Sequence, residues 1–282
     1  MTISDTMLSD IRVLEPLSSA AQRLLTLLGS SDYELEDVVA IVQSDLALTA
    51  RLLRFTNSAA FGLGREVDSV EEAVRFAGDK IITGLALEGS ATRVYASELS
   101  AYGCEGGALW RHSLITALFA REFAQRSRDR SKSGLAFAAG LLHDVGKVVL
   151  AGHMPASPSE LLTDREVPDF EMLEQRATGA DHSELGAQVA EHWELPRAIV
   201  ESIRHHHHPS ESAEDLRAIV HAVHLGDFMA MMAGLGTGAD DLQYQLDPDY
   251  EAWIDLEPNE LDRLSWRVRE EFDQLISSLE ES

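Results

Sequence analysis

The chain has 282 residues, 45% hydrophobic but only 6% aromatic, with a formal net charge of -25 and one cysteine. That length suits one large or two smaller domains, and an aliphatic, Ala- and Leu-rich makeup with few aromatics predicts an all-α globular fold. The acidic residues are spread along the chain, so they repel polyanions and place nucleic acid at a disadvantage as a partner, and the lone Cys104 excludes an intrachain disulfide.

In chain order, Met1-Thr2-Ile3-Ser4-Asp5 lacks the basic start and apolar core of a signal peptide. No apolar run approaches the roughly 20 residues of a spanning helix, so the expectation is a soluble, cytoplasmic protein with no membrane partner. Residues 10–100 alternate apolar helical stripes with short breaks, as in Val38, Val39, Ile41 and Val42, then Leu48, Leu52, Leu53 and Phe55. Ser69-Val70-Glu71-Glu72 has the spacing of a capping box, which predicts a helix start there. Gly103, Gly106 and Gly107 mark a subdomain junction.

A second part, 101–235, begins with a predicted amphipathic helix over 110–123 that turns His112 inward with Ile115, Phe119 and Phe123. A more deeply buried helix is predicted over 135–149. After a Pro- and Asp-containing connection (153–169), a short helix over 170–176 leads to the turn Gly179-Ala180-Asp181, with Asp181 as N-cap of a helix over 182–193. Pro196 suits the first turn of the next helix, which ends in His205-His206-His207-His208-Pro209. A helix over 216–235 carries His224 and Asp227 three residues apart on one face. The segment 236–282 carries an apolar stripe after Pro258, from Leu261 and Leu264 through Val268, Phe272 and Leu275 to Leu279, able to dock on the body or meet a partner.

The most informative stretch is Leu141-Leu142-His143-Asp144-Val145-Gly146-Lys147, which sets an imidazole beside a carboxylate at the end of an apolar helix. Neutral imidazole and carboxylate suit borderline and hard divalent metals, and His112, His182, His206, His207 and Asp227 are further potential ligands from other helices. A carboxylate among imidazoles can bridge two ions, and a metal with an open position lowers the pKa of its water for attack on phosphorus. Singly, each histidine is explained as well by a hydrogen bond to a backbone carbonyl, and Asp144 by a loop anchor. It is the dispersed set that points to metal. Lys147, four residues after His143, is placed either to meet a substrate phosphate or to pair with an acid. His153, His192 and His221 fall outside the pattern, and His224 fits either core packing or support of Asp227. No phosphate-cradling loop, dinucleotide fingerprint or nucleophile elbow is present.

These residues resemble the HDOD domain, a signalling-associated relative of the HD metal-dependent phosphohydrolases. The resemblance rests on Val42-Gln43-Ser44-Asp45-Leu46-Ala47-Leu48-Thr49-Ala50-Arg51-Leu52-Leu53 with Asn57-Ser58-Ala59-Ala60-Phe61-Gly62, and on Trp110-Arg111-His112-Ser113, Gly140 to Lys147, Asp181 to Gly186, Trp193 to Pro196 and the His206-His207 pair. Leu46, where the family has Pro, and Ala77-Gly78, where it has Leu-Gly, are mild departures. The resemblance implies an N-terminal helical part packed on an HD-like bundle. It also implies His112, His143, Asp144 and Asp227 as a core ligand set, with His182 and His206 or His207 holding a second ion. The ion is divalent, with Fe, Mn, Zn, Ni and Mg all open. HDOD domains act mainly as regulatory or scaffold modules in bacterial signalling, which implies signalling proteins as partners and a nucleotide or phosphate as a conceivable ligand. The alternative is a metal-dependent phosphohydrolase or phosphodiesterase acting on a nucleotide or cyclic dinucleotide, with Asp144 bridging or orienting the nucleophile and Lys147 stabilising charge. His208-Pro209-Ser210-Glu211 stands where cyclic di-GMP hydrolases of the HD-GYP type carry Gly-Tyr-Pro, so that substrate is unsupported.

Overall fold

The computed structural model describes residues 3–29, 33–59, 61–95, 98–129, 132–156, 169–236, 238–241, 243–257 and 259–280. Ala60, Pro258, the connection over 157–168 and the side chains of Lys80 and Leu279 lie outside the described residues. Regular structure among the described residues is helical, apart from two isolated β-bridges, Leu99 with Cys104 and Ser127 with Ile254.

The N-terminal layer comprises α1 (Asp5–Val13), α2 (Ser19–Leu28), α3 (Leu35–Gln43), α4 (Leu46–Thr56) and α5 (Val70–Tyr95). Short polar side chains start them: Ser4, Ser18 and Asp45 accept from the amides of Met7, Ala21 and Leu48, satisfying first-turn donors that have no partner in the helix. Ser69 caps α5 in the same way, accepting from the Glu72 amide at 3.2 Å, while the Glu72 carboxylate pairs with Arg65. Leu24, Leu25, Val42, Leu48, Leu52 and Phe55 bury this layer's apolar stripes. α2, α3 and α4 all pack on α5, which breaks at Gly78, where a φ of 73° suits a residue without a Cβ.

The second layer is built on α6 (Ala108–Ala124), which packs against α7 (Ser133–Leu142), α12 (Arg217–Met232) and α13 (Glu260–Glu280). Every residue from His112 to Ala124 is buried, so this helix is central rather than one-sided as its periodicity predicts. Its two charged residues there, Arg121 and Glu122, pair with each other at 2.8 Å, and Arg121 reaches Glu271 of α13 at 2.9 Å. The predicted 135–149 helix is two helices, α7 and α8 (Val145–Leu150), separated at His143-Asp144. Ser133–His153 has a mean hydropathy of 1.4 and, by length and composition, would suffice to cross a membrane, contrary to the sequence expectation. It is apolar because it lies in the core: 83% of its most apolar window is buried.

The rest of the layer is α9 (Phe170–Thr178), α10 (His182–His192) and α11 (Arg197–His205). Asp181 caps α10 as predicted, accepting from the Glu184 amide at 2.7 Å. Pro196 stands one residue earlier than predicted, as the extended N-cap of α11. α12 ends at Met232, three residues short of its predicted end, because Gly234 turns the chain at a φ of 76°. α10 packs on both α8 and α11, which brings three separate chain breaks to one place.

Candidate metal centre

Three helices and two helix ends deliver the candidate ligands. His112 lies in the second turn of α6, His143 and Asp144 at the α7/α8 break, His182 at the first position of α10, His206 and His207 just past α11, and Asp227 on α12. All seven are buried, His207 being the most exposed at 6%. The break after α7 has a local purpose. It ends the helical path at Asp144, so the His143 and Asp144 side chains are not held to the 100° separation of a continuous helix. α8 and α10 then touch backbone to backbone: a Cβ on Gly146 would lie 1.9 Å from the His182 carbonyl oxygen and 2.5 Å from the Gly186 nitrogen.

The Asp144 carboxylate straddles two groups. Its Oδ2 is 3.4 Å from His143 Nε2 and 3.7 Å from His112 Nε2, and Asp227 Oδ1 completes that group at 3.0 Å from His112 Nε2 and 3.6 Å from His143 Nε2. Its Oδ1 faces the other way, 3.5 Å from His182 Nε2 and 3.8 Å from His206 Nε2. His207 Nε2 joins the second group, 3.1 Å from His182 Nε2. Asp144 Oδ1 and His207 Nδ1 are buried with no hydrogen-bond partner among the described residues.

Tautomers are set from outside. The Nδ1 atoms of His112, His143 and His206 donate to the carbonyls of Leu235 (2.6 Å), Gly140 (2.8 Å) and Ile203 (2.7 Å), and that of His182 donates to Glu174 Oε2 (2.7 Å). Each ring therefore turns Nε2 into the centre, and these nitrogens converge on one another at 3.3 Å (His112 and His143) and 3.4 Å (His182 and His206). Nitrogens so placed repel unless a proton or a metal cation lies between them. Two ligand atoms sharing one ion with bonds of about 2.1 Å sit roughly 3.0–3.4 Å apart at octahedral or tetrahedral angles, and no more than about 4.2 Å. The separations quoted above stay within that limit, and in three sets the ligand atoms all lie within 4.8 Å of one another: His112-His143-Asp227, His143-Asp144-His206 and His182-His206-His207.

Electrostatics point the same way. Burial works against charge on Asp144 and Asp227, yet the surrounding imidazoles, with Lys147 beside Asp144, hold both carboxyls well below their usual range. Burial would also lower His143 and His182, but Asp144 lifts the first to about 10 and Glu174 the second to about 9. Burial and these neighbouring imidazoles press His206 down to about 3. The buried carboxylates thus recruit positive charge, from protons where no metal supplies it.

Lys147 takes the second of the two roles open to it in the sequence: its Nζ is 2.7 Å from Asp144 Oδ2 and 2.5 Å from Asp240 Oδ2, and the residue is 2% exposed. Asp240 is one of four residues after α12, with Leu235, Tyr244 and Asp247, that make contacts around the centre. Leu235 takes the His112 hydrogen bond, Asp240 holds Lys147, the Tyr244 ring stacks on His207 at 3.6 Å and 11°, and the Asp247 amide donates to His224 Nε2 at 2.9 Å. His224 in turn donates from Nδ1 to the His206 carbonyl at 2.7 Å, so it secures the His206-His207 turn rather than Asp227.

Sequence reasoning also misses Glu174, which is fully buried and accepts from the His182 ring, the His182 amide (2.9 Å) and the Tyr102 hydroxyl (2.6 Å). One signal was there: Glu174 shares the apolar face of α9 with Phe170 and Leu173, where a carboxylate needs a partner. Of the histidines outside the pattern, His153 pairs with Asp10 at 2.7 Å, and His221 is buried beside Trp253.

The HDOD domain model matches residues 14–209 of the sequence. This chain belongs to the HDOD family. An uncharacterized protein of Treponema pallidum (strain Nichols) is 30% identical over 195 residues, which are 68% of this chain and 37% of that protein, so this chain spans well under half the length of that relative. Among solved structures, an HDOD domain protein of unknown function from Geobacter sulfurreducens has a TM-score of 0.66 at 23% identity, the match covering 98% of this chain and 92% of that one. A candidate signal transduction protein from Marinobacter aquaeolei VT8 has a TM-score of 0.74 at 22% identity, covering 100% of this chain and 62% of its own. At such identities these two likenesses establish the helical HDOD fold.

Proposed function

We propose that this HDOD protein is a bacterial regulatory module that holds divalent metal in the buried centre and transmits its state through protein contacts. His112, His143, Asp144 and Asp227 would hold one ion, and His182, His206 and His207 with the other Asp144 oxygen a second. The observation that carries metal binding is the convergence of the Nε2 atoms of His112, His143, His182 and His206, whose Nδ1 atoms are committed elsewhere. Regulation is favoured over turnover by closure. No ligand is more than 6% exposed, Tyr244 covers His207, and the Lys147 ammonium is occupied by two carboxylates. Partners in signalling fit the family and the candidate role of the Marinobacter protein.

The second reading, a phosphohydrolase, draws on the same donor set. Bound divalent ions would supply Lewis acidity, Asp144 would hold both in register, and Lys147 would have to leave Asp240 to meet a phosphate. The experiment is metal analysis of the purified protein, then hydrolysis assays on phosphoesters and cyclic dinucleotides with wild type and Asp144→Ala. Metal-dependent turnover that the substitution abolishes would defeat the regulatory reading. Protein that stays metal-free after incubation with Mn, Fe or Zn would defeat both.

A further inference from the structure

A cavity of about 300 Å³ opens beside α9 and the 244–248 stretch. Its lining includes Asp169, Glu171, His207, His208, Tyr244 and Asp247. Among them, His207 also belongs to the buried group formed with His182 and His206. It is a single imidazole that stands in both places, 94% buried and with an Nδ1 that has no hydrogen-bond partner among the described residues. Asp169, Glu171 and Asp247 are the carboxylates of that lining. His208 Nε2 lies 2.8 Å from Glu171 Oε2, so one of the three carboxylates has an imidazole beside it. The result is an acidic mouth on a protein of formal charge -25, with the His207 ring in its wall.

Resting on the metal reading above, we propose that this mouth is the entry route for divalent cations to the second group, with Asp169, Glu171 and Asp247 drawing the cation in and the Tyr244 ring as the door it passes. Low-dielectric walls carrying one sign of charge focus the field and raise the encounter rate of an opposite ion tenfold or more. The Tyr244 ring lies flat on His207 at 3.6 Å, so a cation reaching Nε2 from this side passes only when the ring swings off. The Tyr244 hydroxyl makes a long contact of 3.4 Å to Asp240, a weak latch compared with the stack. The same mouth repels phosphate and nucleotide anions, in keeping with a centre that exchanges metal rather than turning over phosphoesters.

The test is the rate at which the full chain, stripped with a chelator, takes up Co²⁺, followed by stopped-flow absorbance of the cobalt bands. Asp169→Asn, Glu171→Gln and Asp247→Asn together keep the capping geometry and remove the charge. Uptake should slow about tenfold at low ionic strength and the difference should fade at high salt, where screening shortens to a few ångström. Tyr244→Ala should speed both uptake and chelator-driven release, whereas Tyr244→Phe, which keeps the ring, should match wild type. Thermal melts in parallel confirm that each variant is folded. Wild-type uptake rates in the neutralised variant at low salt, or in Tyr244→Ala, overturn the route while leaving the metal centre standing. A wild-type chain that acquires no cobalt spectrum overturns the centre itself, and the route with it.

Discussion

Gly146→Ala tests how far the centre depends on the contact between α8 and α10. The added Cβ would lie 1.9 Å from the His182 carbonyl oxygen, and ordinary contact begins near 3.4 Å, so the two backbones must part by about 1.5 Å. Asp144 Oδ1 and His182 Nε2 are 3.5 Å apart. Moved apart by that amount they stand roughly 5 Å from each other, beyond the roughly 4.2 Å that two ligands of one ion can span. Overpacking costs about 1–3 kcal/mol. The upper end is expected here, because both obstacles are backbone atoms and cannot rotate away. Urea denaturation should show that loss with an unchanged m-value, and metal analysis should show the second ion depleted while the first is kept. A variant within about 0.5 kcal/mol of wild type, with full metal content, would refute the reasoning.

Three further outcomes are expected. Glu174→Gln replaces the carboxylate that orients His182, so titration with Zn²⁺ should show about 10–100-fold weaker binding at the second group, and unaltered affinity would count against that role. Cys104 is 2% exposed and burial pushes its thiol up to about 11, so iodoacetamide at pH 8 should label native protein far more slowly than urea-unfolded protein; equal rates would contradict this. His221 has both ring nitrogens buried without partners among the described residues, and burial lowers its pKa from 6.5 to about 4. Its neutral form is the folded one, so the associated stability is complete above pH 6.5 and declines as pH falls from 6.5 towards 4. His221→Phe, which keeps the stack on Trp253, should remove that part of the slope, and parallel stability curves for the two proteins over this window would disprove it.

The ligand types were legible in the sequence because imidazoles and carboxylates announce their chemistry wherever they stand, and because His143-Asp144 ends an apolar run. Helix starts at Ser69 and Asp181 were legible because capping is local. Two other features were not. The α7/α8 break falls within a continuous apolar stretch, and the approach of α10 to Gly146 just beyond it is a tertiary contact that no local pattern announces. Asp240 and Tyr244 come from irregular chain with no period to read, and they reach Lys147 and His207 only after some ninety and forty residues of intervening structure respectively have folded. α6 misled by its moderate amphipathicity, since its polar side is closed by α13 through Arg121 and Glu271 rather than by solvent.

On the metal reading proposed above, the contacts of Leu235, Asp240, Tyr244 and Asp247 would make ion affinity and the docking of these residues two expressions of one free energy. Whatever holds these residues down would tighten the ions, and the ions would return the favour by the same factor, tenfold for each 1.4 kcal/mol or so of coupling. Further along the chain α13, with Leu264, Val268 and Phe272 buried, packs against the helix that carries His112. On the proposed reading, a protein that engages α13 would therefore have a thermodynamic handle on the metal content of a centre it never touches.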